Sequence, residues 1–381
     1  MSHFAKSPHI AWFTDTLDDV NGVARTIRAM SGAATRAGKP LTVITCRGAI
    51  DLPGIRLENF SPLVDFKLPA YKAQTLTVPP ARKILNYLRR EKFTEVIIST
   101  PGPVGLAALL TAKLLGLRTV GIDHTDFPQY ARFLTGSAVL EGLAWRLMDW
   151  FYGAFDLVYV NSECYRRRWT RRGFDPQRLG ILPRGLDTQL FDHRRREENF
   201  WRRRGADRGK VLLYVGRVSK EKELEFLAKI FHELSVSGAP IDLAIVGEGP
   251  YRAEMQKKIP RAIFTGPLGG GELGAAYASA DLFLFPSTTD TFGNVVLEAA
   301  ASGLPVFVSD IGGPKELLTP GMGQVLPAGN LPAWATAVRD WLQNPTARDT
   351  LTLTADQIRR ERNWDTAFEK FWALTVTKAI P

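Results

Sequence analysis

Residues 286–314 read PSTTDTFGNVVLEAAASGLPVFVSDIGGP, and their pattern decides the fold. The run just before them, 282–285, and the run 305–309 within them are continuously apolar, as strands buried on both faces of a parallel sheet are. Between the two runs lie a tight Phe292-Gly293-Asn294 turn and a helix opening at Val295. Strand, turn, helix, strand is the crossover unit that parallel strands require.

The same rhythm extends outward. Strands are expected at 210–215, 242–246, 262–265, 282–285, 305–309 and 324–326, with helices such as 224–234 and 295–301 between them. An earlier series covers 9–14, 41–46, 95–100, 118–123, 157–160 and 179–182. A polar, arginine-rich passage, 187–208, separates the series and reads as a linker. The fold class is therefore α/β, with two Rossmann-like doubly wound domains, 1–186 and 187–364. At 381 residues the chain has room for two domains of roughly 150 residues each. Ligands of such sheets bind beyond the carboxyl ends of the strands, so two facing domains place a ligand in the cleft between them.

Composition excludes several classes. The chain is 45% hydrophobic and 23% charged, with no low-complexity tract. Its longest apolar run, 104–117, is interrupted by Lys113 and falls short of the roughly 20 residues a membrane span needs. The opening MSHFAKSPH holds no apolar signal core, so a cytoplasmic chain is expected. Cys46 and Cys164 show no metal spacing and read as free thiols. Charge is uneven: residues 1–186 hold 25 Lys and Arg against 15 Asp and Glu, and the remainder balances. The excess suggests an anionic partner for the first half. Arg82, Lys83, Arg89 and Arg90, with an apolar stripe of Ile84, Leu85 and Leu88, suggest an anionic membrane surface. No strand interleaves aromatic and basic residues, so nucleic acid is not the expected partner.

Several positions carry chemistry. Asp290 precedes the 292–294 turn, and Glu298 lies about two helical turns on, so the two acids reach different parts of one long ligand. N–H groups at such a helix start suit hydroxyl or phosphate oxygens. Gly216 and the sequence GRVSKEK follow the strand 210–215. There Arg217 and Lys222 are placed to hold a diphosphate, the first bidentately and the second as a point charge. Asn21-Gly22-Val23 follows the first strand, where glycine permits close approach of a phosphate. His124 opens HTDFPQY at the end of a strand, with Asp126 and Tyr130 just beyond. Gly269, Gly271 and Gly274 satisfy the dinucleotide fingerprint, but they follow the third strand of their series rather than the first.

The segment from Asp290 to Glu298 resembles the acid-x7-acid motif of the family 4 retaining glycosyltransferases of GT-B fold. Those enzymes usually carry Glu where this chain has Asp290. The TDTFGNVVLEA form is similar to that of bacterial mannosyl-, glucosyl- and sulfoquinovosyl-transferases acting on lipids. VGEGPYR from Val246 and FTGPL from Phe264, which includes Pro267 and Leu268, match further family segments, the second around the nucleobase. The resemblance implies a metal-independent hexosyltransferase with no cofactor. Its donor is a nucleotide sugar, GDP-mannose or a UDP-hexose, and its acceptor a lipid or glycan met at the inner face of a membrane. It implies that Arg217, Lys222 and the Gly22 backbone hold the diphosphate and that Glu298 holds the ribose. Asp290 and Phe292–Val295 would hold the sugar, His124 would lie beside it, and Asp126 and Tyr130 would face the acceptor. It further implies that the last helix, 365–381, packs back on the first domain. A GT-B epimerase or phosphorylase, or a silent sugar-nucleotide binder, is the alternative. The absence of any D-x-D argues against the metal-dependent single-domain architecture.

Overall fold

A computed structural model of the chain describes residues 8–17, 22–46, 52–68, 71–344 and 348–377. It contains two compact units, one of residues 1–185 with 364–381 and one of residues 186–363.

Unit 1 begins β1 (Ile10–Phe13), α1 (Gly22–Arg36), β2 (Leu41–Thr45), β3 (Leu57–Asn59), β4 (Val64–Leu68), β5 (Tyr71–Val78) and α2 (Ala81–Arg90). It continues β6 (Glu95–Ile98), α3 (Pro103–Leu114), β7 (Arg118–Asp123), α4 (Phe127–Thr135), α5 (Ala138–Gly153), β8 (Leu157–Val160), α6 (Glu163–Arg171) and β9 (Leu179–Ile181). Seven strands form one parallel sheet in the order β3-β2-β1-β6-β7-β8-β9, and β4 and β5 pair antiparallel apart from it. The sheet is apolar on both faces, as the unbroken runs predict. One face buries Ile84, Val104, Ala108, Met148 and Phe151 from α2, α3 and α5. The other buries Ile27 and Met30 of α1.

Unit 2 holds β10 (Lys210–Val215), α7 (Leu224–Val236), β11 (Ile241–Val246), α8 (Arg252–Lys258), β12 (Ile263–Gly266), α9 (Gly270–Ser279) and β13 (Leu282–Phe285). Next come α10 (Asn294–Ala301), β14 (Val306–Ser309), β15 (Gly323–Leu326), α11 (Leu331–Gln343) and α12 (Arg348–Glu361). Its parallel sheet runs β12-β11-β10-β13-β14-β15. The last helix, α13 (Trp364–Thr377), packs on unit 1: Phe368 and Phe371 enter its core and Arg36 binds Asp365.

Two expectations need correction. The passage 187–208 is not a bare linker, because Phe191, Phe200 and Trp201 are buried in the core of unit 2. Several of its arginines are tied down, as where Arg196 donates to the carbonyls of Ala278 and Ala280 at 3.1 and 3.0 Å. The supposed membrane stripe of α2 is its core face, since Ile84 and Leu88 are buried. Part of the positive excess of the first half is neutralised locally: on α6 Arg166 and Arg167 meet Glu163 and Arg168 meets Asp126, and just past the helix Arg172 meets Asp149. Among the described residues no helix is long and apolar enough to cross a membrane.

Candidate active site

In each parallel sheet the connections reverse direction between its first and fourth strands in chain order, β1 and β6 in unit 1 and β10 and β13 in unit 2, and that switch point is where open α/β sheets bind ligands. In unit 2 it lies between β10 and β13. The loops leaving those strands carry most of the residues singled out from the sequence.

The loop after β10 lies flat against the loop after β11. Gly216 N–H donates to Val246 O at 3.0 Å, and Val218 N–H to Glu248 O at 2.9 Å. Glycine is obligatory at Gly247, where a Cβ would stand 1.9 Å from Gly216 O with φ at +136°. The VGEG turn is thus the support on which Gly216 and the exposed Arg217 rest. From the same loop, Lys222 Nζ reaches 2.8 Å from Asp290 Oδ1. Ser287 Oγ donates to the other oxygen of Asp290, and Thr289 Oγ1 donates to Glu221 O at 3.1 Å, lacing the two loops together.

Residues 312–314 brace the turn that follows Asp290. Gly313 N–H donates to Asp290 O at 3.0 Å, and a Cβ at Gly313 would lie 2.0 Å from Thr291 O. This holds Phe292 inward and Gly293 at φ +89°, so α10 opens at Asn294 and Val295 with no side chain on its cap. One turn further, Glu298 is buried and accepts from Tyr277 OH at 3.0 Å. Pro267, exposed, and Leu268, half-buried, follow the edge strand β12. The unused fingerprint has a packing role: a Cβ on Gly274 would lie 2.2 Å from Leu190 O, so α9 needs glycine to meet the 187–208 passage.

The switch point of unit 1 differs in sign. There Asp15 accepts from Thr100 Oγ1 at 2.7 Å and from the N–H groups of Val104 and Gly105 at 3.0 and 3.3 Å. The start of α3, attractive to an anion, is therefore filled by the protein's own carboxylate. Unit 2 presents cations at the same topological place.

Gly22 is the first residue of α1, while Asn21 lies outside the described residues. His124, at the end of β7, is buried. Arg184, just past β9, donates to Thr26 Oγ1 at 2.5 Å and to Asn161 Oδ1 at 2.6 Å, and its Nη2 stands 3.2 Å from His124 Nδ1. A guanidinium has no acceptor, so Nδ1 must accept and the imidazole carries its proton on Nε2. Burial, aided by Arg184, holds His124 well below the usual histidine range. Burial and the nearby Arg25 likewise bring Arg184 down to about 10. Burial raises Asp123 to about 7, against the opposing bond from Trp169 Nε1 at 2.7 Å. Asp126, expected at the acceptor, is buried instead. It caps α4 through Gln129 N–H at 3.0 Å and accepts from Tyr165 and Arg168. Tyr130 lies half-buried on α4.

Arg184, Asn161 and Asp15 escaped the sequence reading. Their only signal was a lone arginine between Pro183 and Gly185 beyond a strand, and an acid beyond another.

Two doubly wound parallel sheets, one with cations and a braced acid at its switch point, define a two-domain glycosyltransferase of GT-B class. The structure of Anabaena HepE in complex with UDP and glucose aligns with TM-score 0.76 at 17% identity, covering 98% of this chain and 100% of that one. Residues 209–344 match the model of glycosyl transferases group 1, and residues 20–190 that of glycosyltransferase family 4. A GDP-mannose-dependent alpha-mannosyltransferase of Mycobacterium tuberculosis is 33% identical, over 82% of this chain and 82% of its own length. The sulfoquinovosyl transferase SQD2 of Arabidopsis thaliana is 29% identical over 80% of this chain, which spans 61% of that longer protein. An alpha-monoglucosyldiacylglycerol synthase of Streptococcus pneumoniae is 25% identical, over 78% of this chain and 70% of its own. The chain belongs to glycosyltransferase family 4.

Proposed function

We propose that this protein is a retaining, metal-independent hexosyltransferase that moves a hexose from a nucleoside-diphosphate sugar to a lipid at a membrane surface. The observation that carries the donor assignment is the contrast between the two switch points. Unit 2 sets Arg217 and Lys222 in the loop beyond β10, with Lys222 against Asp290 just ahead of α10, and a diphosphate is the ligand that such a place attracts. Unit 1 closes the corresponding place with Asp15. In this reading Arg217 and Lys222 hold the diphosphate, Glu298 the ribose, and Asp290 with residues 292–295 the hexose. Pro267 and Leu268 flank the base.

The main chemical task is to stabilise the leaving diphosphate as charge develops on it. The bond from C1 to the diphosphate oxygen breaks, the acceptor hydroxyl oxygen bonds C1 from the same face, and its proton passes to the departing phosphate oxygen. That course retains the anomeric configuration and asks no base of the protein. His124 suits it, because Nε2–H is a donor to a sugar hydroxyl. Relatives named for GDP-mannose and for a glucosylated diacylglycerol support the donor and lipid classes.

The test is a panel of GDP-mannose, UDP-glucose, UDP-galactose and UDP-sulfoquinovose in a thermal melt. A donor at ~100 times its dissociation constant stabilises by roughly 2.7 kcal/mol. One donor that stabilises the wild type and fails with Lys222→Ala is the expected result, and activity unaffected by EDTA the expected companion. Loss of activity in EDTA with recovery in magnesium would overturn the metal-independent part.

A further inference from the structure

The helix α5 is apolar over two adjoining faces, and only one is covered. Met148, Phe151 and Tyr152 enter the core of unit 1. On the other side Val139 (72% exposed), Leu143 (52%), Leu147 (49%) and Trp150 (63%) follow one another at three- and four-residue spacing, a continuous stripe in solvent. Exposed Phe133 and Leu134 at the end of α4 sit beside it in sequence, joined through Gly136 and Ser137. A helix apolar all round belongs inside something, and a contiguous exposed patch marks an interaction surface.

Charge identifies the occupant. The only charged residue within the stripe is Arg146, and the exposed charged residue on α4 is Arg132. The carboxylates of α5 lie off the stripe: Glu141 is half-buried, and Asp149 is held by Arg172 Nε at 2.9 Å. Leucine, valine and tryptophan interspersed with outward arginine are the composition of a helix lying in the headgroup layer of an anionic bilayer.

We propose that α5, with the end of α4, is the face on which this protein docks to an anionic lipid surface. The inference deepens the lipid-acceptor reading by giving the membrane a place on the chain. It also replaces α2, whose apolar side is used in the core.

Sedimentation of the whole protein with phosphatidylglycerol or phosphatidylcholine vesicles tests it. The wild type is expected to bind the anionic vesicles, more weakly as salt rises. Leu143→Asp with Leu147→Asp should cut that binding at least tenfold while the thermal melt in solution stays unchanged, both positions being exposed. Charge reversal at Arg82 and Lys83 on α2 should have the smaller effect. No binding by the wild type at low salt overturns the proposal, as does wild-type binding by the aspartate variant. A concentration-dependent dimer that the aspartate variant abolishes also overturns it, because the face then covers a second copy. Transfer to lipid dispersed in detergent needs no docking and separates the two readings. If it persists in the aspartate variant, the defect is confined to docking. If it is absent in the wild type, the lipid-acceptor reading fails and not the face.

Discussion

Lys222 Nζ and Asp290 Oδ1 stand 2.8 Å apart and tie the carboxyl ends of β10 and β13 together. Both side chains are mostly shielded from solvent, so removing one leaves the other charge poorly compensated. Lys222→Ala should therefore lower turnover by roughly 10²–10³ and also cost about 1–3 kcal/mol of stability. Adding Asp290→Asn should restore much of the stability and none of the turnover. Melting curves and kinetics of the wild type, both single variants and the double variant check this; strictly additive stability losses would show that the pair is not coupled.

The two acids of the motif should part in their effects. Asp290→Asn should impair transfer more than nucleotide affinity, since Asp290 is assigned to the hexose. Glu298→Gln should weaken binding of the nucleoside diphosphate itself. Calorimetry with GDP and UDP reads the difference, and the reverse pattern would exchange the two roles.

The Arg184 contact makes a prediction about His124 that is independent of substrate. Asp123 and Asp126 lie on its own segment, Arg184 beyond β9, Arg25 on α1 and Arg168 on α6. Nitrogen-15 spectra of the imidazole should show a single neutral form with the proton on Nε2, unchanged as pH falls through 6.5, the unperturbed histidine value. Arg184→Met should mix the tautomers and raise the pH at which the ring titrates. A wild-type proton on Nδ1 would contradict the arrangement.

Asp123 links folding to pH. Its folded value of about 7 lies above the ordinary carboxylate value, near 3.9, so between the two the folded state holds a proton that the unfolded chain has released. Stability from this group is present at low pH and is lost as pH rises from about 4 to 7. Asp123→Asn, whose amide stands in for the neutral acid, should therefore melt close to the wild type near pH 4.5 and open a gap above it toward pH 8. A gap that stays constant with pH would contradict the buried, protonated acid.

Strands such as 10–13 and 210–215 were legible because burial on both faces leaves an unbroken apolar run, and the 290–298 motif because its parts are local. The β4–β5 hairpin was not legible, since residues 64–78 carry no such run. Arginine-rich composition hid Phe191, Phe200 and Trp201, and the sequence does not show that Arg195, Arg196 and Arg204 among them are bonded to backbone carbonyls. Amphipathic spacing in α2 was visible, but a periodic stripe faces core and membrane alike. The Arg184–His124 contact joins residues 60 apart and leaves no periodic trace.

Transfer of a hexose from a nucleotide sugar at the β10–β13 switch point of unit 2 can be followed directly. The direct measurement incubates the whole protein with labelled GDP-mannose or a labelled UDP-hexose and extracted bacterial lipid, with EDTA present, and follows label into the lipid phase. With the wild type, α-linked label from one donor is expected, and with Lys222→Ala a loss of roughly 10² or more. Label that enters lipid equally well in Lys222→Ala, or a β-linked product from the α-linked donor, would contradict it.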